Sequence, residues 1–271
     1  MTPNCVLLVT RLITVTLACT NFATANPESA LDHSAWSRVL AQFENEQARV
    51  DYKSLKSKGS ADLVAYLRQM SRPWPQALTS NERKAALINT YNALTVQWIV
   101  DNYPVESIWR TNHPFTAVRH LVNGRKVSLD QLETDLRNMG DPRVHAVLVC
   151  ASLSCPPLRR KAYLPEELDR QLSESVQNWL GNPTLNRFHA AEHKAEVSMI
   201  FEWYKGDFEK DGSSVPLFLA RFAPEGQTGF LGEPGLKLSY QEYNWGLNDT
   251  SSIGAKYSKA SFYKDYLRNK F

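Results

Sequence analysis

The strongest helical pattern in this chain is TSNERKAALINTYNALTVQWIVDNY, residues 79–103. Thr79 and Glu82 have the spacing of a capping box, which predicts a helix N-terminus, and apolar residues follow at helical spacing. Asn89 and Asn92 share a face in the most apolar part of this helix. Because an unpartnered buried amide is costly, the pair either ties the helix to a neighbouring loop or lines a ligand site.

Shorter patterns surround this helix. Helical spacing predicts helices over residues 29–47, after Gly59, from Ser128, over 165–180 and over 215–222. Apolar or alternating runs predict strands at residues 144–150, 184–188, 195–199 and 236–240, and Asn123-Gly124 predicts a tight hairpin turn. We therefore expect an α/β (α+β) fold, with helices packed around a small, mainly antiparallel sheet. We expect residues 26–249 to form one globular domain and residues 250–271 to form a C-terminal tail.

The segment DPRVHAVLVCASLSCPPL, residues 141–158, carries the most chemistry. A β-branched run predicts a buried strand that holds His145 and delivers Cys150 to a turn ending at Cys155. This arrangement is compatible with a nucleophile and its base, with a metal corner or with a disulfide. In an extended strand, residues 145 and 150 face opposite sides unless a bulge intervenes.

The N-terminus has the pattern of a secretory signal peptide. Arg11 precedes a short apolar stretch, and Ala23 and Ala25 form an A-x-A cleavage site. We expect the leader to be cleaved after Ala25 and the mature protein to be periplasmic or secreted. Lipidation at Cys19 is a competing interpretation, which Thr16 disfavours because lipoprotein signals prefer leucine there.

Removing the leader leaves two cysteines, Cys150 and Cys155, and an even count in an exported protein favours a disulfide.

The chain has a net charge of +3 and contains no basic block with interleaved aromatic residues, so we predict no nucleic-acid partner. No transmembrane segment is expected in the mature chain. His189 and His193 have a metal-like spacing but fall between two predicted strands, so no metal and no cofactor is predicted. The expected partner is a small molecule or a protein.

Five motifs in order make the chain resemble bacterial members of the domain-of-unknown-function family 547, from about residue 45 to 248. The motifs are INTYNALT (88–95), SLDQLETDLR (128–137), the 141–158 segment, WYKGDF (203–208) and YNWGLN (243–248). The resemblance implies functional roles for Asn89, Asn92, Glu133, His145, Cys150, Cys155, Tyr204 and Asp207. Family members often carry a histidine after the equivalent of Glu133, where this chain has Thr134.

Two functions remain open at this stage. One is a binding or assembly module with a degenerate active site, whose ligand contacts come from Asn89, Asn92, Trp203, Tyr204 and Asp207. This interpretation agrees with a distant papain or transglutaminase arrangement in which Asn89 stands where a cysteine would open the helix.

The alternative is a thiol-dependent hydrolase or transferase that acts on an amide or ester. In it Cys150 or Cys155 is the nucleophile, His145 is the base, and Glu133 or an asparagine amide orients the base or stabilises an oxyanion. Thiol exchange between the two cysteines is a third, weaker interpretation.

Overall fold

The long helix α4, Ser80–Asn102, lies at the centre of the computed structural model, which describes residues 31–210 and 213–270. Thr79 and Glu82 form the predicted capping box at its N-terminus. From Ala85 to Val96 every residue is buried, so the helix is enclosed on all sides rather than along one stripe. It packs against α2, Tyr52–Lys58, α3, Ala61–Ser71, and α5, Leu129–Arg137.

The other helices pack around this centre. They are α1 (Ser34–Phe43), α6 (Leu168–Leu180), α7 (Ile200–Trp203), α8 (Lys205–Phe208), α9 (Val215–Phe222) and α10 (Lys259–Lys270). Aromatic residues of the same core join α6 to α7–α9, where the Trp179 and Phe201 rings stack at 4.7 Å between centroids. The helix predicted to begin at residue 165 begins at Leu168 instead, and that predicted over residues 29–47 is limited to α1.

Five short strands complete the described part of the chain. β1 (His120–Val122) and β2 (Arg125–Val127) form the predicted hairpin, with Asn123 and Gly124 both at positive φ. β3 (Arg187–His189) pairs antiparallel with β4 (Lys194–Ser198), and β4 pairs parallel with β5 (Lys237–Gln241). The α+β prediction is confirmed, although one of the three pairings is parallel.

The prediction of a buried strand at residues 144–150 is wrong. The segment Pro142–Ala146 is a 3₁₀ helix, and the chain continues to Cys150 without regular structure. Asp141 caps the 3₁₀ helix by accepting a hydrogen bond from the Arg143 backbone N–H. Further along, the Asn92 side chain satisfies the backbone of Val147 and Val149, so these groups need no partner strand. The alternation argument for residues 145 and 150 therefore does not apply.

Residues 250–271, predicted as a tail, contain α10 within their described part. This helix packs against the 3₁₀ turn Ile108–Arg110, and Asp265 and Asn269 are buried in the contact. The Asn269 side chain donates to the Trp109 carbonyl at 3.0 Å and accepts from the His113 backbone N–H at 2.6 Å. The predicted signal peptide, with Cys19 and Ala25, lies outside the described residues.

Candidate functional site

The candidate site is a cavity of about 510 Å³ between α5, α7, the Cys150–Cys155 segment and α10. Eight of its twenty lining residues are phenylalanine, tryptophan or tyrosine. The lining residues are Tyr91, Trp109, His113, Pro114, Phe115, Thr116, Asp130, Glu133, His145, Leu148, Cys150, Cys155, Ile200, Trp203, Tyr204, Tyr243, Trp245, Tyr266, Asn269 and Lys270. Of the residues singled out in the sequence, Glu133, His145, Cys150, Cys155, Trp203 and Tyr204 meet here.

His145 is held by Asp207 rather than by Glu133. Its Nε2 lies 2.9 Å from Asp207 Oδ2, and its ring stacks on that of Tyr204 at 4.2 Å between centroids. Burial lowers the pKa of His145 to about 4, which the hydrogen bond to Asp207 only partly opposes. The imidazole is therefore neutral near pH 7, with its proton on Nε2 facing the carboxylate and its lone pair on Nδ1.

Asp207 joins His145 to two basic side chains. The Arg137 Nε lies 2.6 Å from Asp207 Oδ2, and the Lys210 Nζ lies 2.9 Å from Asp207 Oδ1. Burial alone would raise the pKa of Asp207, but the hydrogen bonds from Arg137, Lys210 and His145 hold it well below its ordinary value. Asp207 is thus a permanent anion that orients the imidazole, and it supports the cavity wall without lining the cavity.

Glu133 lies on α5 and faces the hydroxyl of Tyr204. Burial raises the pKa of the Glu133 carboxyl, and its interaction with the Tyr204 hydroxyl partly opposes this rise. Burial next to Glu133 also raises the pKa of Tyr204, so the phenol stays protonated. A partly buried carboxyl of this kind can accept a ligand proton or bind a ligand cation.

The two sulfurs are paired with each other. Cys150 and Cys155 lie at disulfide-bonding distance, with their Cα atoms 6.3 Å apart. The Tyr243 hydroxyl lies 3.1 Å from Cys150 Sγ and 3.5 Å from Cys155 Sγ, and the Cys150 backbone N–H donates to Cys155 Sγ at 2.9 Å. In this state neither sulfur is a thiolate, so neither is available as a nucleophile.

The amides of Asn89 and Asn92 bind backbone and do not line the cavity. Asn89 donates to the Tyr163 carbonyl at 2.8 Å and accepts from the Tyr163 N–H at 2.9 Å. Asn92 donates to the Val147 carbonyl at 2.8 Å and accepts from the Val149 N–H at 3.0 Å. Both residues are buried, so these side chains tie α4 to two loops. Neither side chain therefore lies in the cavity as a ligand contact. The alternative that the sequence left open, a tie between the helix and neighbouring loops, is what the structure shows.

The outer part of the cavity is a cluster of indole and phenol rings. Trp203 lies 4.8 Å from Tyr243 and 5.8 Å from Trp245, measured between ring centroids, and Trp245 stacks on Phe262 at 5.4 Å. An adjoining groove of about 1080 Å³ shares this cluster and extends along α10. Trp203 is 45% exposed, so this ring of the cluster is accessible from solvent.

Sequence reasoning missed the contributions of the Trp109–Thr116 segment and of α10. Tyr266, Asn269 and Lys270 close one side of the cavity although they lie at the end of the chain. In the sequence, the aromatic residues after residue 256 are the one indication that α10 contributes to the cavity. The same residues are also typical of a terminal helix that simply packs against the core.

Metal-ligating residues do not assemble in the part of the chain that the structure describes. Residues 31–210 and 213–270 contain no cluster of three or more histidine, cysteine or carboxylate side chains suited to a metal ion. His189 and His193 flank the turn of the β3–β4 hairpin, as expected, and His193 adopts a left-handed conformation there. Over the same residues, no helix combines the length and apolarity that a bilayer crossing requires.

One comparison with known proteins gave a match. The family model described as "Protein of unknown function, DUF547" matches residues 75–180, which confirms the resemblance over this part of the chain. The matched region includes Glu133, His145 and both cysteines, whereas Trp203, Tyr204 and Asp207 lie beyond it. No curated protein and no solved structure matches the chain significantly.

Proposed function

We propose that this chain, whose residues 75–180 match the DUF547 family, is an exported binding protein that takes a small organic ligand into its aromatic cavity. The centre around His145 is then a degenerate active site, kept for its shape and polarity rather than for a nucleophile. The proposal assigns the stacking surface to Trp203, Tyr243 and Trp245, and the polar end to Glu133.

A single observation carries this proposal. The cavity wall contains both cysteine sulfurs, but they are paired with each other. A thiol-dependent reaction therefore lacks its nucleophile, while the Trp203 ring remains accessible from solvent. A cavity of several hundred Å³ lined by aromatic residues with a few polar groups is typical of small-molecule sites.

The test uses benzyl alcohol as a neutral ring-bearing probe. We expect saturation-transfer NMR to show transfer from the protein to the probe, because the ring inserts among the side chains around Trp203. Trp203→Ala is expected to weaken the transfer strongly with little loss of stability, since this side chain is 45% exposed. Leu217→Ala removes a 50% exposed apolar side chain outside the cavity and serves as the matched control. Equal transfer in the Trp203→Ala and Leu217→Ala variants would exclude binding at this cavity.

The thiol-dependent hydrolase or transferase remains the second candidate because His145 lines the same cavity as both sulfurs. With Asp207 bound at Nε2 of His145, the unprotonated Nδ1 of the histidine is the atom that would accept the proton of a reduced cysteine. The assay is p-nitrophenyl acetate hydrolysis before and after mild reduction. Turnover that appears only on reduction, and is lost in both Cys155→Ser and His145→Gln, would replace the binding proposal with this one.

Export is proposed from the leader pattern alone. We expect N-terminal sequencing of the protein recovered from the periplasm or medium to begin at Asn26. A chain that retains its first residues, or one lipidated at Cys19, would overturn this part of the proposal.

A further inference from the structure

We infer that the aromatic cavity selects ligands carrying a positively charged ammonium group, with Glu133 and Asp130 as the counter-charges. This inference rests on the proposed binding function and specifies the class of ligand. It follows from three features of the cavity: which of its polar groups are already committed, how its rings already interact with cations, and how its formal charges are distributed.

Three polar side chains of the cavity wall are already committed to other protein groups. His145 Nε2 is bound to Asp207, and Asn269 Nδ2 donates to the carbonyls of Trp109 and Asp265. The Tyr243 hydroxyl is within hydrogen-bond distance of Ser152 and of both sulfurs. A ligand that accepted hydrogen bonds from these three side chains would have to displace these contacts.

The carboxylates are committed differently. Glu133 and Asp130 lie one turn apart on α5, and neither forms an ion pair with any residue in the described ranges. Arg137, on the same helix, is already held by Asp207 at 2.6 Å. Asp130 and Glu133 therefore offer a ligand anionic, accepting groups, which suit a ligand that is cationic or donating.

Ring faces in this wall already bind cations of the protein itself. The Arg137 guanidinium lies 4.9 Å from the centroid of the Tyr204 ring, and the Lys270 ammonium lies 5.9 Å from that of Tyr266. The cluster of Trp203, Tyr243 and Trp245 offers further rings of the type that attracts ammonium groups most strongly. A ligand cation entering the cavity would meet this cluster and then the carboxylate of Glu133.

The formal charges of the lining point the same way. Asp130 and Glu133 are opposed by one lysine, Lys270, whose side chain is exposed at the end of α10. The buried imidazole of His145 is neutral near pH 7 and adds no positive charge. Because burial disfavours the ionised form of Glu133, a cation bound beside it would restore that form and lower its pKa.

The experiment compares choline with its uncharged isostere 3,3-dimethylbutan-1-ol, using the full chain and titration calorimetry. The two probes have the same shape and the same hydroxyl group and differ in charge. We expect choline to bind about tenfold or more tightly, because cation–π and carboxylate contacts act on choline alone. Glu133→Gln is expected to abolish most of this preference and Asp130→Asn to reduce it. Asp135→Asn, on the same helix but outside the cavity, is expected to preserve it.

Each remaining outcome counts against the inference in a distinguishable way. Equal affinity for the two probes overturns the ammonium inference while leaving the binding function in place. Tighter binding of methyl glucoside than of choline overturns it in favour of a neutral sugar. Failure of all three probes and of benzyl alcohol overturns both the inference and the proposed function.

Discussion

The imidazole Nε2 of His145 lies 2.9 Å from the carboxylate of Asp207, although 62 positions separate the two residues in the chain. This contact connects the 3₁₀ helix Pro142–Ala146 to α8 and fixes the orientation of the histidine ring. The same carboxylate binds Arg137 of α5, so one anion joins three segments beneath the cavity. The stability and the pH response of the site both depend on the contacts of the Asp207 carboxylate.

The first prediction concerns pH. Burial lowers the pKa of His145 to about 4, while the unfolded chain binds this proton near its ordinary pKa of about 6.5. Between these values the unfolded state binds more protons, so stability from this residue is complete above about pH 6.5 and falls as the pH drops towards 4. We expect the wild type to lose on the order of 3 kcal/mol more than His145→Gln across this range, in urea unfolding.

The control for this measurement is His189→Gln, on the β3–β4 hairpin and outside the cavity. The comparison separates the loss of the buried cavity imidazole from the loss of an imidazole elsewhere in the chain. His33 and His120 also have a pKa lowered to about 4 by burial, so His145→Gln should keep part of the acid sensitivity. Parallel curves for the wild type and His145→Gln would contradict the prediction.

The second prediction concerns the anion itself. Asp207→Asn should lower the free energy of unfolding by about 1–3 kcal/mol, because it removes the charge that pairs with Arg137 and Lys210. Asp135→Asn is the matched control. Asp135 forms an exposed ion pair with Arg125 at 3.6 Å, and its loss should change stability by less than about 0.5 kcal/mol. Similar losses in both variants, measured by denaturant unfolding, would argue against a special role for Asp207.

The third prediction tests the tie made by Asn92. Asn92→Ala should cost about 2–3 kcal/mol, because the Val147 carbonyl and the Val149 N–H would be left buried without partners. Asn81→Ala, at an exposed position on the same helix, should cost far less. Hydrogen exchange can locate the effect. In Asn92→Ala, the protection of the Val149 N–H should fall more than the protection of the N–H groups of α4.

The fourth prediction concerns the sulfurs. Alkylation followed by peptide mass spectrometry should leave Cys150 and Cys155 unmodified until a reductant is added. Because the loop between them is short, replacing both with serine should cost only about 2 kcal/mol of stability. Alkylation of Cys155 in the untreated native protein would refute the pairing and revive the nucleophile hypothesis.

The fifth prediction concerns backbone packing beside the YNWGLN motif. A Cβ added at Gly246 would lie 2.1 Å from the Gly254 carbonyl oxygen, so Gly246→Ala must force two backbone segments apart. We expect a loss of at least about 2 kcal/mol in thermal or denaturant unfolding. Gly206→Ala is the control, since a Cβ there meets no atom within 4 Å. A Gly246→Ala protein as stable as Gly206→Ala would contradict this packing.

Local signals in the sequence predicted local structure well. The capping box at Thr79 forms as expected, and a second one forms at Ser128, where a helix was predicted to begin, because the interacting groups lie only three residues apart. The Asn123-Gly124 turn also forms, since both residues tolerate positive φ. These features depend on neighbours along the chain, which a single sequence displays directly.

The valine run at residues 144–150 shows where such signals fail. Its β-branched composition favours a strand, but a strand needs a partner backbone, and here the Asn92 amide takes that role for part of the segment. The partner is 55 residues away from Val147. The composition of the run predicts that it is buried. It does not predict which groups form hydrogen bonds with its backbone.

From its sequence alone, this chain is committed to its central helix, its hairpins and the burial of its β-branched and aromatic residues, because propensity, capping and hydrophobic spacing act over a few positions. The cavity was decided by tertiary structure. Packing brought Asp207 under His145, paired the sulfurs against Tyr243 and laid α10 over the aromatic cluster. The physical reason is that contacts between distant segments depend on how whole helices and loops pack and bury their apolar surface. A pattern over a few neighbouring residues does not determine that packing.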